Sequence, residues 1–147
     1  MLSVAEIMTA QPYTLGPDNS LMEAASLMRE HHIRHVPIVA KDGNVIGLVS
    51  HRDVLAASDS RLVHADHRTA GKEDYVALSA VMTSPVQTVT EDAELRAVAG
   101  FLRKQRLGCL PVTRDGDLVG IVTDSDFLEV AIALMEQLEI VEPDEDY

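Results

Sequence analysis

The chain has 147 residues, of which 12 are basic and 24 acidic, a net charge of −12, and only 3% are aromatic. Phosphate backbones repel so acidic a chain, and no basic-aromatic interleaving offsets that, so nucleic acid is excluded as a partner for the chain as a whole. The single cysteine, Cys109, excludes an intrachain disulfide and a cysteine-rich metal site. Apolar runs such as Val45–Val49 and Val130–Met135 are too short to span a membrane. The N-terminus has no basic region ahead of an apolar stretch, so no secretory signal is expected. The resulting expectation is a cytoplasmic protein whose length suffices for one domain hiding roughly two-thirds of its unfolded surface.

In chain order, Asp18, Asn19 and Ser20 offer N-cap oxygens, and Ser20 with Glu23 has capping-box spacing. Leu21, Ala24, Ala25 and Met28 recur at helical spacing, which predicts an amphipathic helix over about Ser20–His32. Val36–Val39, the turn Lys41-Asp42-Gly43 and Val45–Val49 read as a β-hairpin. A short helix over about Arg52–Ala57 follows. Residues 58–77 carry few large apolar groups and read as a linker. A second helix is expected at about Asp92–Gln105, then a hairpin through Asp115-Gly116, then a helix from near Ser125 to about Glu139. The last twelve residues contain Glu136, Glu139, Glu142, Asp144, Glu145 and Asp146 and no basic residue, which reads as a solvated acidic tail.

These elements occur twice. Residues 8–39 align with 82–113 at an offset of 74, matching Met8/Met82, Thr9/Thr83, Asp18/Asp92, Leu21/Leu95, Arg29/Arg103 and Pro37/Pro111. After one deleted residue the match resumes at an offset of 73 with Asp42/Asp115, Gly47/Gly120, Ser50/Thr123, Asp53/Asp126 and Leu55/Leu128. Each half is too small to bury its apolar face well alone, so the halves are expected to pack around a pseudo-twofold axis. The fold class that follows is α/β, or α+β, with repeat 1 at 1–57, the linker at 58–77, repeat 2 at 78–135, and the helix end and tail at 136–147.

The Met-Thr openings (Ile7-Met8-Thr9, Val81-Met82-Thr83), the amphipathic helix, the strands around Val36-Pro37-Ile38 and Leu110-Pro111-Val112, and the closing Gly-hydrophobic-Val-Ser/Thr-x-x-Asp resemble the cystathionine-β-synthase domain, or CBS domain. Two copies resemble a tandem pair, a Bateman module, covering about residues 1–57 and 78–135 and leaving no room for a catalytic domain. The resemblance implies two βαββα repeats packed as one pair, and a homodimer of such pairs. It also implies a regulatory role: binding of AMP, ADP, ATP or S-adenosylmethionine in clefts between repeats, with occupancy passed to an unknown regulated protein. No required cofactor and no catalysis are implied.

The residues themselves support two readings of Ser50-x-x-Asp53 and Thr123-x-x-Asp126. A hydroxyl ending a strand and a carboxylate one turn into a helix form a capping box, although Glu or Gln is commoner than Asp in that role. The same carboxylate can accept from the adjacent 2′- and 3′-hydroxyls of a ribose, while the hydroxyl and helix amides receive phosphate oxygens. Gly47 and Gly120 allow a backbone or ligand to approach closely. Taken alone the spacing reads first as a cap; the duplication and the family resemblance reverse that order.

The resemblance also assigns clefts. It sets Thr123 and Asp126 opposite Ile33, Arg34, His35 and the opening near Thr9, a cleft with cations for phosphate, although Asp124 would repel that group. It sets Ser50 and Asp53 opposite Leu107, Gly108, Cys109 and Thr83, with positive charge only from His51, Arg52 or Arg106. His31, His32 and His35 read as helix-end histidines before they read as a metal site, and His64-Ala65-Asp66-His67 as a solvated loop. Cys109 reads as a small buried residue, and Met22, Met28 and Met82 as core. No nucleophile, base and acid set is evident. The rival readings are a ligand-free dimerisation or interaction module and, behind it, a metal-dependent enzyme built on the histidines.

Overall fold

The computed structural model describes residues 2–63 and 75–141; the linker motif at His64–His67 and the tail acids from Glu142 onward lie outside them. The elements are β1 (Thr9–Ala10), α1 (Leu21–His31), β2 (His35–Val39), β3 (Val45–Ser50), α2 (His51–Val63), β4 (Val89–Thr90), α3 (Leu95–Gln105), β5 (Cys109–Arg114), β6 (Asp117–Thr123) and α4 (Asp124–Val141). Single helical turns at Val4–Glu6 and Leu78–Ala80 open the two repeats. The architecture is the expected mixture of sheet and helix.

α1 starts at its capping box: Ser20 Oγ accepts from Glu23 N–H at 3.1 Å and Glu23 Oε2 accepts from Ser20 N–H at 3.3 Å, which satisfies two otherwise unpaired helix-end donors. It stops at His32, left-handed at φ 54°, and α3 stops at the matched Arg106, φ 56°. The same repeat positions face inward, Leu21, Ala24 and Met28 in α1 and Leu95, Val98 and Leu102 in α3. Met22 departs from the expected core set and is 64% exposed, because it lies off the stripe that Leu21, Ala24 and Met28 define.

α3 begins at Leu95, later than the expected Asp92. Asp92 is instead held by Thr90 Oγ1 at 2.6 Å, and Ala93 N–H donates to Thr90 O, so the chain spends three residues in a turn first. α2 runs on to Val63, so the span read as a linker from residue 58 opens as helix. At its far end Leu21 N–H donates to Val76 O at 2.8 Å, which ties that span back to repeat 1.

The β2–β3 and β5–β6 hairpins are antiparallel. Their turns explain the deleted residue: Asp115-Gly116, both at positive φ, forms a two-residue turn between Arg114 and Asp117, whereas repeat 1 closes a longer turn with Ala40 N–H to Asn44 O at 2.9 Å.

The openings are exchanged between repeats. β1 pairs with β6, Thr9 opposite Ile121, and Thr83 in turn bridges Leu48 of β3. Val4, fully buried, sits among Leu95, Val98, Leu102, Leu110, Val112 and Val122, whereas Leu78 sits among Leu21, Ala24, Met28, Val36, Ile38 and Val49. Each hydrophobic core therefore contains the first turn of the other repeat, which packs the two halves together.

Candidate functional site

The hairpins deliver the two Ser/Thr-x-x-Asp motifs to strand ends. In repeat 1, Ser50 ends β3 and Asp53 lies in the first turn of α2. Ser50 N–H donates to Asp53 Oδ2 at 2.8 Å, and Asp53 N–H donates to Ser50 Oγ at 3.1 Å. In repeat 2, Thr123 N–H and Thr123 Oγ1 both donate to Asp126 Oδ2, at 2.7 and 3.2 Å. The cap reading thus has a physical basis in both copies. It occupies Oδ2 only; Oδ1 of each half-buried carboxylate takes no hydrogen bond among the described residues.

Thr9, opposite Ile121, lies two residues along the ladder from Thr123. Thr83, opposite Leu48, stands in the same relation to Ser50. Each exchanged opening is therefore beside the motif expected for it. The segments before the proline strands are bound to their own repeats: Arg34 O accepts from His51 N–H at 2.7 Å, and Gly108 O from Asp124 N–H at 3.0 Å. Ile33 packs on the repeat 1 core, Leu107 on the repeat 2 core, and the side chains of Arg34, His51, Arg52 and Arg106 are exposed.

His35 reaches from repeat 1 to the segment before the proline strand of repeat 2. A Cβ on Gly108 would lie 3.3 Å from His35 Nε2 and 3.7 Å from Asp124 Oδ2, so the ring occupies the space that a side chain at 108 would fill. Burial holds the His35 imidazolium below its ordinary value of 6.5; Asp124 and Asp53 oppose that lowering and Arg34 adds to it. Cys109, at the position matching His35, is 3% exposed, and its thiol is pushed up to about 12 by burial, with Asp126 and then Asp124 adding to the rise. Its charged neighbours are thus carboxylates of its own repeat.

The glycines admit side chains. A Cβ at Gly47 would come within 2.4 Å of Met82 Sδ, and one at Gly120 within 2.6 Å of Met8 Sδ and 2.9 Å of Thr9 O. The close approach expected of a backbone or a ligand is made by the methionine of each exchanged opening and, at Gly120, by the backbone oxygen of Thr9 as well. Sequence reasoning missed these pairs, although Met8/Met82 and Gly47/Gly120 are matched repeat positions. It also missed the stacking of Tyr13 on His31, with ring centroids 3.8 Å apart. A depression of about 370 Å³ where the hairpin turns meet, lined by Gln11, Thr14, Asp42 and Asp117 among others, was missed as well. His31, His32 and His35 end on a stack, a helix cap and a strand, and no three metal-ligating side chains converge among the described residues. No described helix is long and apolar enough to cross a membrane.

A sequence profile of the CBS domain matches residues 4–60 and 78–133. The chain belongs to the CBS-domain family. Among solved structures, this CBS pair resembles a Vibrio cholerae chain described as an acetoin utilization protein, AcuB, at 40% identity and a TM-score of 0.82, covering 95% of this chain and 98% of that one. It also resembles the CBS-domain pair of protein MJ0100, crystallised with 5′-methylthioadenosine and S-adenosyl-L-methionine, at 27% identity and a TM-score of 0.77, covering 91% and 98%. Inosine-5′-monophosphate dehydrogenase of Staphylococcus aureus is 32% identical over 123 residues, 82% of this chain and 22% of that enzyme. An uncharacterized 33.4 kDa protein in a ribosomal RNA operon of Thermofilum pendens is 32% identical over 129 residues, 86% of this chain and 43% of that protein. The CBS pair thus spans less than half the length of these curated relatives.

Proposed function

We propose that this CBS pair is a regulatory ligand sensor that takes an adenine nucleotide or adenosyl compound between its repeats and passes occupancy to a partner protein, without turnover. The observation that carries this reading is the duplicated carboxylate with one oxygen fixed by its cap and the other without a hydrogen bond among the described residues. A fixed Oδ2 orients Asp53 and Asp126, and the remaining Oδ1 accepts from a ribose hydroxyl. The adenosyl complex of the MJ0100 pair supports the choice of ligand class. In this reading Thr9 and Thr83 border the respective clefts, and His35 and Cys109 line their inner ends. The charge around the clefts is unequal, because Asp124 stands where the other copy has His51. Two copies associate through the exposed Leu55 and Leu128, 51% and 64% accessible at matched positions.

The cap bonds favour a second reading, in which both motifs only start helices and the chain is a ligand-free interaction module. Thermal unfolding with AMP, ADP, ATP or S-adenosylmethionine separates the two. Saturation at a hundredfold excess over Kd stabilises by about 2.7 kcal/mol, several degrees for a domain of this size. The sensor predicts such a shift for at least one ligand, reduced in Asp53→Ala or Asp126→Ala when each variant is measured against its own ligand-free midpoint. Equal loss of stability in both variants, with no ligand response in any form of the protein, would establish the interaction module.

A further inference from the structure

Each Ser/Thr-x-x-Asp motif has a neighbour across its own hairpin. His35 stands opposite Ser50 in the β2–β3 ladder, and Cys109 opposite Thr123 in the β5–β6 ladder. Residues paired in this way hold their Cβ atoms about 5 Å apart on one face of the sheet. The bonds from His51 N–H to Arg34 O and from Asp124 N–H to Gly108 O tie the same segments to the same helix starts. Each motif is thus flanked by the segment before the proline strand of its own repeat.

The two flanks differ in charge at every matched position. Beside Asp53 the chain has Arg34, His35, His51 and Arg52; beside Asp126 the same four positions hold Gly108, Cys109, Asp124 and Ser125. One flank therefore has two guanidinium groups and two imidazoles, and the other a second carboxylate and no base. Asp124 Oδ2 is 3.7 Å from where a Cβ on Gly108 would stand, and Asp124 Oδ1 accepts from Ser125 N–H at 2.9 Å, a first-turn amide of the kind that anions take. The charged neighbours of Cys109 are Asp126 and Asp124, whereas His35 has Arg34 beside Asp124 and Asp53. The openings add no charge to either side, since Met8–Gln11 and Met82–Pro85 are uncharged. Arg106, exposed at the end of α3, is a single cation against the carboxylates of Asp124 and Asp126.

We propose that the two clefts take adenosyl ligands of opposite charge: the Asp53 cleft a phosphorylated adenosine, with its phosphate on Arg34 and Arg52, and the Asp126 cleft a phosphate-free adenosyl compound, with a cationic 5′ group such as a sulfonium on Asp124. The division rests on the ligand-sensor reading and sets phosphate on the side opposite to that implied by the family resemblance.

The test is calorimetric titration of AMP and of S-adenosylmethionine into the full chain, each alone and each with the other already at saturation. Both are expected to bind, and neither to displace the other. His51→Asp/Arg52→Ser gives repeat 1 the residues of repeat 2, and Asp124→His/Ser125→Arg does the converse. All four side chains are exposed, so unchanged thermal midpoints are expected and exclude misfolding. The first pair is expected to weaken AMP by about tenfold or more, the loss of a charge-assisted contact, and to leave S-adenosylmethionine unaltered. The converse pair is expected to weaken S-adenosylmethionine by as much and to raise the stoichiometry of AMP. Mutual displacement of the two compounds, binding of only one of them, or AMP affinity unaltered in His51→Asp/Arg52→Ser would overturn the proposal and leave the sensor reading standing. No heat from either compound in any form of the protein would overturn both.

Discussion

Asp126 shows how one side chain serves both folding and a candidate ligand site. Oδ2 closes the cap on Thr123 at 2.7 Å, and the geometry that satisfies the helix also holds Oδ1 in one orientation. His35 carries a sharper prediction. Burial makes it bind a proton less readily in the folded state than in the unfolded chain, with Asp124 and Asp53 opposing and Arg34 reinforcing. Below its ordinary value of 6.5 the unfolded chain therefore holds more protons, and stability falls as pH drops through that region. Urea midpoints at about pH 7.5 and about pH 5.5 should show this fall, and His35→Gln should flatten it; an unchanged slope in the variant would contradict the placement of the ring. For Cys109, a thiol raised to about 12 by burial stays protonated at neutral pH, so iodoacetamide should label the native protein far more slowly than the chain in urea. Rapid native labelling would mean that the thiol is open to solvent.

At the level of elements, the exchanged openings place a methionine over a glycine in each hairpin, and the two sites differ in what gives way. A Cβ at Gly120 would meet Thr9 O at 2.9 Å as well as Met8, so backbone must move. At Gly47 the close atoms all belong to Met82, whose side chain can swing. Gly120→Ala should therefore cost about 1–3 kcal/mol in chemical denaturation and Gly47→Ala less; the opposite ranking would count against the exchange of openings. Much at this scale was legible in the sequence. The capping box of α1 is four letters of local chemistry, and the hairpin turns announce themselves as Asp-Gly. The start of α3 was not legible, because Asp92 resembles a cap and only the structure shows Thr90 holding it. Met22 failed for a related reason: as an apolar residue beside Leu21 it resembles core, but the helix turns it outward.

For the whole molecule, the duplication was plain from matched residues, whereas the exchange of openings followed only from the family resemblance. Periodicity shows what repeats, while the partner of an opening strand depends on packing between copies. The clefts likewise came from the resemblance and not from periodicity, and the contact of His35 with Gly108, across 73 residues of chain, is encoded by no local pattern. Leu78, fully buried in the core of the other repeat, gives the exchange a test. Leu78→Ala should cost about 2–5 kcal/mol in a single cooperative transition, whereas separate transitions for the two repeats would show that the halves fold independently.

Whether the paired Asp carboxylates receive an adenosyl ligand is read by calorimetric titration of S-adenosylmethionine and AMP into the full chain and into Asp53→Asn and Asp126→Asn. At least one of the two compounds is expected to bind saturably, with each substitution removing or weakening one class of site. No heat from either compound, or binding that neither substitution alters, would contradict it.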